Sequence, residues 1–173
     1  MRGPLLPSID ALLAEWARQP RRPSREDYLE AAAFLERQRG ASGDGLWRAP
    51  PALLTATLDD GWGHGLDVIE ALAAAVGVRV RRLGLLQTAQ AVLAACRREG
   101  PDLLGLTVLQ FDSEEAVAAI AHGLPRGTTL VAGGAAYRYD DDFARRTATP
   151  VAVRDGAAFL AFLRGFRAAA DGG

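Results

Sequence analysis

From residue 51 onward, segments with the apolar pattern of a β-strand alternate with segments with the apolar pattern of an α-helix. Short, mostly apolar runs predict β-strands, and several are continuously apolar, which is typical of a parallel sheet covered on both faces. The predicted strands are 52–58, 78–83, 103–108, 129–131 and 150–153. Stretches with the helical spacing of apolar residues separate them, at 66–76, 88–99, 113–122, 140–146 and 157–167. This alternation predicts an α/β fold with a doubly wound, Rossmann-like or flavodoxin-like parallel sheet of five strands.

The first 50 residues carry a different pattern, with two short helical segments and no strand. Ser8 and Ser24 predict the N-terminal caps of these helices, and Gly40 predicts the end of the second. Their aromatic side chains are interpreted as packing residues: Trp16, Tyr28 and Phe34. Residues 41–51 are rich in Gly and Pro and predict a linker. We therefore expect a helical N-terminal segment, 1–50, before an α/β domain, 51–173.

Composition excludes several classes of protein. The chain has 20 basic and 21 acidic residues, so its net charge of −1 gives no electrostatic case for a nucleic-acid partner. A basic run between the two N-terminal helices is interpreted as a solvated linker rather than a phosphate-binding patch. Its members are Arg18, Arg21, Arg22 and Arg25. The single cysteine excludes internal disulfides, and no segment approaches the about 20 apolar residues of a membrane span. We expect a soluble, cytoplasmic protein without a membrane partner.

Candidate binding residues stand at the ends of three predicted strands. Asp60 follows the first strand, Thr107 lies at the end of the third, and Gly133-Gly134 follow the fourth. Ligands of doubly wound sheets bind beyond the carboxyl ends of the strands. These residues are therefore expected to converge in space, although they are far apart in sequence.

Three short motifs together resemble those of the cobalamin (vitamin B12)-binding domain family. The family pattern is Asp-x-His-x-x-Gly, then Ser-x-Leu, then Gly-Gly. The matching residues here are Asp60, Trp62 and Gly65, then Thr107-Val108-Leu109 after an interval of 41 residues, then Gly133-Gly134. Leu83-Gly84 and the run Pro-Asp-Leu-Leu-Gly-Leu-Thr at 101–107 are similar to further family features. The resemblance covers residues from about 53 to 165.

The resemblance implies a corrinoid bound with its nucleotide tail displaced from cobalt. In the family the His ligates cobalt, the Asp orients that His, and the Ser/Thr hydroxyl contacts the Asp. The displaced tail enters a slot lined by the Ser-x-Leu strand and the Gly-Gly turn, where side chains must be small. The implied cofactor-binding residues are Asp60, Gly61, Trp62, Gly65, Thr107, Leu109, Gly133, Gly134 and Ala135. The glycine pair also fits a simpler interpretation, close packing of a strand against the next element.

Trp62 stands where the family has its cobalt-ligating His. The indole nitrogen is only a hydrogen-bond donor, so no metal ligand from the protein is expected there. Either cobalamin binds without a protein ligand or Trp62 closes the site. A shifted register that makes His64 the ligand loses both Gly65 and the interval to Thr107. We therefore expect His64 to lie exposed near the helix start, and it stays open as an alternative axial ligand.

No independent catalytic constellation occurs along the chain, so it is not expected to be a complete enzyme. Cys96 is interpreted as a buried packing residue, and His122 as a partner of the carbonyls at a helix end. The run Asp140-Asp141-Asp142 is interpreted as the cap of a helix. With only two histidines, a zinc-type cluster is excluded.

The leading hypothesis is a cobalamin-binding carrier or accessory protein, such as the corrinoid subunit of a methyltransferase system. Its partner would be a methyltransferase, a radical-SAM enzyme or a regulator. The alternatives are a sensor of the same fold that binds haem or B12, and a ligand-free scaffold for protein interaction. The two N-terminal helices are expected either to supply half of a cap over the corrin or to pack against the sheet.

Overall fold

A sheet of five parallel strands forms the centre of the computed structural model, which describes residues 5–40, 45–59, 61 and 63–167. The strands are β1 (Ala52–Thr57), β2 (Arg79–Gly84), β3 (Leu103–Thr107), β4 (Thr129–Gly133) and β5 (Val151–Val153). Their order across the sheet is β2-β1-β3-β4-β5. This is the flavodoxin-like order, in which the chain winds in opposite directions from the β1/β3 boundary. The predicted doubly wound α/β fold is confirmed.

Helices precede the sheet and connect its strands. They are α1 (Leu5–Arg18), α2 (Arg25–Arg39), α3 (His64–Ala75), α4 (Ala89–Glu99), α5 (Glu114–Gly123), α6 (Ala135–Tyr139), α7 (Phe143–Arg146) and α8 (Gly156–Gly165). The helix predicted at 140–146 begins only at Phe143, and α6 begins directly after Gly134. The additional helix forms because Ala136 and Tyr137 become buried in the core. No helix in the described ranges is long and apolar enough to cross a membrane.

The two faces of the sheet are covered by different helices because strand side chains point alternately to either side. Leu53 and Leu103 pack in one hydrophobic cluster with α1, α2, α3 and α8, and we call this side the α3–α8 face. Leu54 and Leu104 pack in the other cluster with α4, α5, α6 and α7, and we call this side the α4–α5 face. Strands β1, β3 and β4 are buried almost throughout. Their continuously apolar runs are explained by this two-sided burial.

The N-terminal helices extend the α3–α8 face. Helix α2 begins at a capping box, in which the Ser24 hydroxyl accepts from the Asp27 amide and the Asp27 carboxylate accepts from the Ser24 amide. Ile9 and Leu35 are buried in the same cluster as the sheet residues, and Tyr28 lies there too. Of the two roles expected for these helices, packing on the layer beside the sheet is the one observed. The boundary at residue 50 stays a prediction, and residues 41–44 of the predicted linker lie outside the described residues.

Candidate functional site

Asp59 joins three loops at the carboxyl end of the sheet. Its side chain is 4% exposed and accepts hydrogen bonds from the Leu109 amide at 2.8 Å and from the Thr57 hydroxyl at 2.9 Å. Its backbone carbonyl accepts from the Leu86 amide. The loops after β1, β2 and β3 are therefore held together by one residue. They flank the β1/β3 boundary, where ligands of this sheet order bind.

Sequence reasoning missed Asp59 and singled out its neighbour Asp60. Asp60 and Trp62 lie outside the described residues, so their predicted roles are untested. Gly61 is described, and its amide lies 3.4 Å from the Asp59 carboxylate. The doubled acid at 59 and 60 was the available signal, since either residue could point inward. Asp59 links to the β3 loop through the Leu109 amide, whereas the resemblance implies a contact between the motif Asp and the Thr107 hydroxyl.

Gly65 and Thr107 meet at the start of α3. A Cβ atom added to Gly65 would lie 2.7 Å from Thr107 Cγ2 and 3.1 Å from Thr107 Oγ1. Any larger residue would push the helix away from the end of β3. Two of the predicted motif pieces are therefore in direct contact, 42 positions apart in the chain.

Gly133 and Gly134 are pressed between the ends of β3 and β5. A Cβ atom at Gly133 would lie 2.6 Å from the Val153 carbonyl oxygen, and one at Gly134 would overlap the Val108 carbonyl oxygen. Gly134 also has φ +115°, which strongly favours glycine. Backbone packing alone thus requires both glycines, as the simpler interpretation of the pair held. The small size of the two glycines is therefore no argument for a ligand by itself. An argument for a ligand has to come from the space beside them.

A cavity of about 380 Å³ opens beside these residues, between the sheet and helices α2, α3 and α8. Its volume lies within the roughly 300–1,000 Å³ range of small-molecule sites. Much of its wall is apolar and comes from Val68, Ile69, Val131, Val153 and Phe159. Gly65, Thr107, Gly133 and Gly134 also line it, so the structure brings these predicted residues around one space. Ala135 begins α6 and is not among the lining residues.

Four arginines, which we call the arginine rim, line the same cavity. They are Arg22, Arg25, Arg138 and Arg154. Arg25 pairs with Asp67 at 2.9 Å, and Arg154 pairs with Asp141. Within the described ranges, Arg22 and Arg138 form no ion pair. Arg22 and Arg25 of the basic N-terminal run are exposed and also line this cavity, and the interpretation of the run as a solvated linker stays a prediction.

A second, smaller cavity of about 290 Å³ lies over the loop after β1. It shares His64, Gly65 and Thr107 with the larger cavity, so the two spaces adjoin. Gly61 and Leu109 also line it. His64 is the first residue of α3 and is exposed, as the sequence predicts.

Exposed apolar side chains follow the ends of two neighbouring strands, and one of them, Leu109, lines this smaller cavity. Within the described part of the chain the exposed large hydrophobic residues are Leu85, Leu86, Leu109, Phe111 and Tyr139. The first four lie in the loops after β2 and β3. We call these two loops the apolar loops. Leu86 is 66% exposed and Phe111 is 51% exposed. Exposed apolar residues beside a cavity are candidates for contact with a ligand or a partner.

Cys96 and His122 take the structural roles predicted for them, whereas Asp142, which precedes α7, makes no capping hydrogen bond with its side chain. Cys96 is fully buried, and burial raises the pKa of its thiol to about 11, with Glu99 adding to the effect. His122 places Nδ1 2.7 Å from the Ala118 carbonyl oxygen, one turn back along α5. No group of three or more His, Cys, Asp or Glu residues that could hold a metal ion occurs in the described ranges.

Comparisons with known proteins agree with the fold. No protein-family model matches the chain, and no curated protein matches it significantly in sequence. A cobalamin-binding protein from Desulfitobacterium hafniense has a TM-score of 0.69 at 15% identity, over 82% of this chain and 70% of that one. The methanol:cobalamin methyltransferase complex of Methanosarcina barkeri gives 0.59 at 20%, over 96% and 67%. The monomethylamine corrinoid protein of the same organism gives 0.57 at 16%, over 80% and 65%.

These identities show a shared fold and no more. The chain has the five-stranded α/β architecture of cobalamin-binding proteins, with a cavity and apolar loops at the carboxyl end of its sheet.

Proposed function

We propose that this chain binds a corrinoid with its nucleotide tail displaced and presents it to a partner protein. The observation that carries the proposal is a cavity that is open to solvent and has apolar and cationic walls, together with exposed apolar residues on loops at the same edge of the sheet. A corrinoid has two parts of matching shape, a broad macrocycle and a narrow nucleotide tail. Three structures of the same fold are described as cobalamin-binding or corrinoid proteins, which supports this choice of ligand.

The apolar loops suit the face of the macrocycle. Leu85 and Leu109 lie on either side of the loop after β1, against Gly63 and Gly61 respectively. A flat ligand resting on this loop would cover both leucines and remove apolar surface from water. Asp59 holds the supporting loops in one position, so little ordering is required when a ligand arrives.

The larger cavity suits the nucleotide tail. Its apolar walls fit a heterocyclic base, and the arginine rim fits the phosphate of the tail. Arg22 and Arg138, which form no ion pair within the described ranges, are the two whose charge is available to the phosphate. Gly65, Thr107, Gly133 and Gly134 would form the side of the slot nearest the macrocycle.

Trp62 would leave cobalt without a nitrogen ligand from the protein. When bound, a corrinoid supplies group-transfer chemistry at cobalt, most often of a methyl group. Loss of the axial donor favours the lower oxidation states of cobalt. We assign the chain the role of carrier or accessory module. The partner would be a methyltransferase, a radical-SAM enzyme or a regulator.

Titration of the protein with hydroxocobalamin, by calorimetry and visible absorbance, tests the proposal. We expect binding, and a spectrum that shows neither imidazole nor the nucleotide base coordinated to cobalt. Trp62→His should convert this spectrum to that of nitrogen-ligated cobalt, whereas the control Trp62→Phe should leave it unchanged. Absence of binding by wild type and by both variants would show that the chain is not a corrinoid protein.

A sensor is the second candidate, and the position of His64 favours it. This residue is exposed and lines both cavities, so it lies where it can reach a metal at their junction. If His64 ligates cobalt or haem iron, His64→Ala should remove a nitrogen-ligated spectrum already present in wild type. None of the three similar structures is described as a haem protein. A haemin titration distinguishes the haem sensor from the carrier, and the scaffold hypothesis predicts binding of neither ligand.

A further inference from the structure

The hydroxyl group of Tyr28 is a buried polar group without a hydrogen-bond partner. The residue lies on α2 and is 6% exposed. Its ring is fixed on two sides, by an edge-on contact with Trp16 at 5.2 Å between centroids and by Gly156 at the start of α8. The ring is therefore held by packed neighbours on both sides. Buried hydroxyls without a partner are uncommon in folded proteins and call for an explanation.

Its surroundings keep this hydroxyl protonated. Burial raises the pKa of Tyr28, and the Asp155 carboxylate adds to the rise. The Ala157 amide, the Arg138 guanidinium and the Gly156 amide offset part of it, although neither amide reaches the distance and angle of a hydrogen bond to the phenolic oxygen. A neutral phenol remains a hydrogen-bond donor, so Tyr28 offers an O–H group that nothing in the described structure accepts.

Tyr28 also lines the larger cavity, together with Gly156 and Phe159. The other polar side chains there are placed differently. The arginines and His64 are exposed, and Thr107 stands against Gly65 near the smaller cavity. The Asp155 carboxylate accepts a hydrogen bond from the Ala158 amide at the start of α8. Tyr28 is the buried donor on the α2 and α8 side of the space. The N-terminal segment thus contributes a wall of the cavity as well as packing against α3.

We propose that the Tyr28 hydroxyl donates a hydrogen bond to the heterocyclic base of a displaced nucleotide tail, at the ring nitrogen that displacement frees from cobalt. This inference rests on the proposed function. That nitrogen carries a lone pair, and burying it without a donor would cost free energy. Tyr28 has the complementary need, a donor without an acceptor. Binding would satisfy both groups, so the contact selects tails whose base has an acceptor nitrogen.

Tyr28→Phe and three ligands test this assignment. The ligands are hydroxocobalamin, cobinamide, which lacks the nucleotide tail, and a cobamide whose phenolic base has no ring nitrogen. We expect the variant to bind hydroxocobalamin about tenfold more weakly than wild type, the effect of one lost hydrogen bond to a buried acceptor. Its affinities for cobinamide and for the phenolic cobamide should equal those of wild type.

The ligand-free variant provides a second readout. Because the hydroxyl has no partner, Tyr28→Phe should melt at the same temperature as wild type or higher. Tyr137→Phe is the matched control, since that buried hydroxyl lies 2.8 Å from Thr149 Oγ1 and its loss should lower the melting temperature. Equal weakening for all three ligands, or no weakening for any, would overturn the role of Tyr28 alone. Failure of wild type to bind any of them would overturn the proposed function as well.

Discussion

The two faces of the sheet contain similar aromatic pairs that differ in one respect. On the α3–α8 face Tyr28 meets Trp16 at 5.2 Å and 81°, and on the α4–α5 face Tyr137 meets Phe143 at 5.0 Å and 80°. Both tyrosines are buried. The Tyr137 hydroxyl has a partner, whereas the Tyr28 hydroxyl has none in the described structure, and Tyr28 is a residue that lines the larger cavity. The difference lies in polar pairing and not in burial.

Hydrogen bonds on the α4–α5 face run in a single direction. Thr147 donates to the Phe143 carbonyl oxygen, which can only accept. The Thr149 hydroxyl, 2.7 Å from Thr147, must then donate to Thr147, and Tyr137 must donate to Thr149. Each of the three hydroxyl hydrogens is used within the protein. This face is complete without a ligand.

The comparison teaches where to look for a binding site on such a sheet. On a face whose buried polar groups are all hydrogen-bonded, the absence of a ligand has no cost in free energy. A face with an unpaired buried hydroxyl and an arginine rim carries a desolvation cost that a ligand can relieve. The candidate site is therefore on the α3–α8 side, at the carboxyl end of the strands.

Gly134→Ala is expected to cause the largest loss of stability, because Gly134 lies between the cavity and the β3 backbone. The added methyl group would overlap the Val108 carbonyl oxygen at a φ of +115°. Strain and overlap together should cost about 3 kcal/mol or more. For a chain of this size, that corresponds to a fall in melting temperature of roughly 6–12 °C. Thermal unfolding followed by circular dichroism measures it.

Gly127→Ala is the matched control for backbone strain alone. Gly127 has φ +95°, but an added Cβ would meet nothing within 4 Å. We expect a loss of about 1–2 kcal/mol, from the unfavourable φ. Equal losses for the two variants would show that the contact between Gly134 and Val108 is not tight.

The fold was largely predictable from sequence, since continuous apolar runs and helical spacing follow directly from the two-sided burial of a parallel sheet. The meeting of Gly65 with Thr107 was also foreseen, from the order of strand ends. Three features of the site were not. Asp59 was missed because nothing in the sequence distinguishes it from the acid that follows it. The arginine rim was missed because its residues come from distant segments of the chain. The role of Tyr28 was missed because the apolar stripe of α2 predicts that the ring is buried and does not predict whether the hydroxyl has a partner.

Asp59→Ala should loosen the mouth of the cavity while leaving the α4–α5 face intact. It removes the acceptor of the Leu109 amide and of the Thr57 hydroxyl, both in a buried setting. We expect a loss of about 2 kcal/mol in the free energy of unfolding, because partly buried donors are left unsatisfied. Weaker corrinoid binding should accompany it, since the apolar loops lose their common anchor. Urea denaturation and a hydroxocobalamin titration measure the two effects.

Asp142→Ala serves as the control for removing an aspartate. Asp142 is exposed and pairs only with Arg145, one turn along the chain, in the described structure. Its loss should leave both stability and binding unchanged within error. If the two aspartates gave the same result, Asp59 would not be the residue that joins the three loops.

Tyr137→Phe should have a small effect on stability, and it tests the difference between the two tyrosines most directly. Removing this hydroxyl takes away only the first donor of the directed series, because Thr149 still donates to Thr147 and Thr147 still donates to Phe143. The expected loss is about 1 kcal/mol, or a fall of about 2–4 °C in melting temperature, with hydroxocobalamin affinity unchanged. Tyr28→Phe should show the reverse, with stability retained and affinity reduced. A double variant should give the sum of the two effects, since the residues lie on opposite faces and share no partner. Any marked departure from additivity would mean that the two faces communicate through the sheet and that the α4–α5 face is not an independent scaffold.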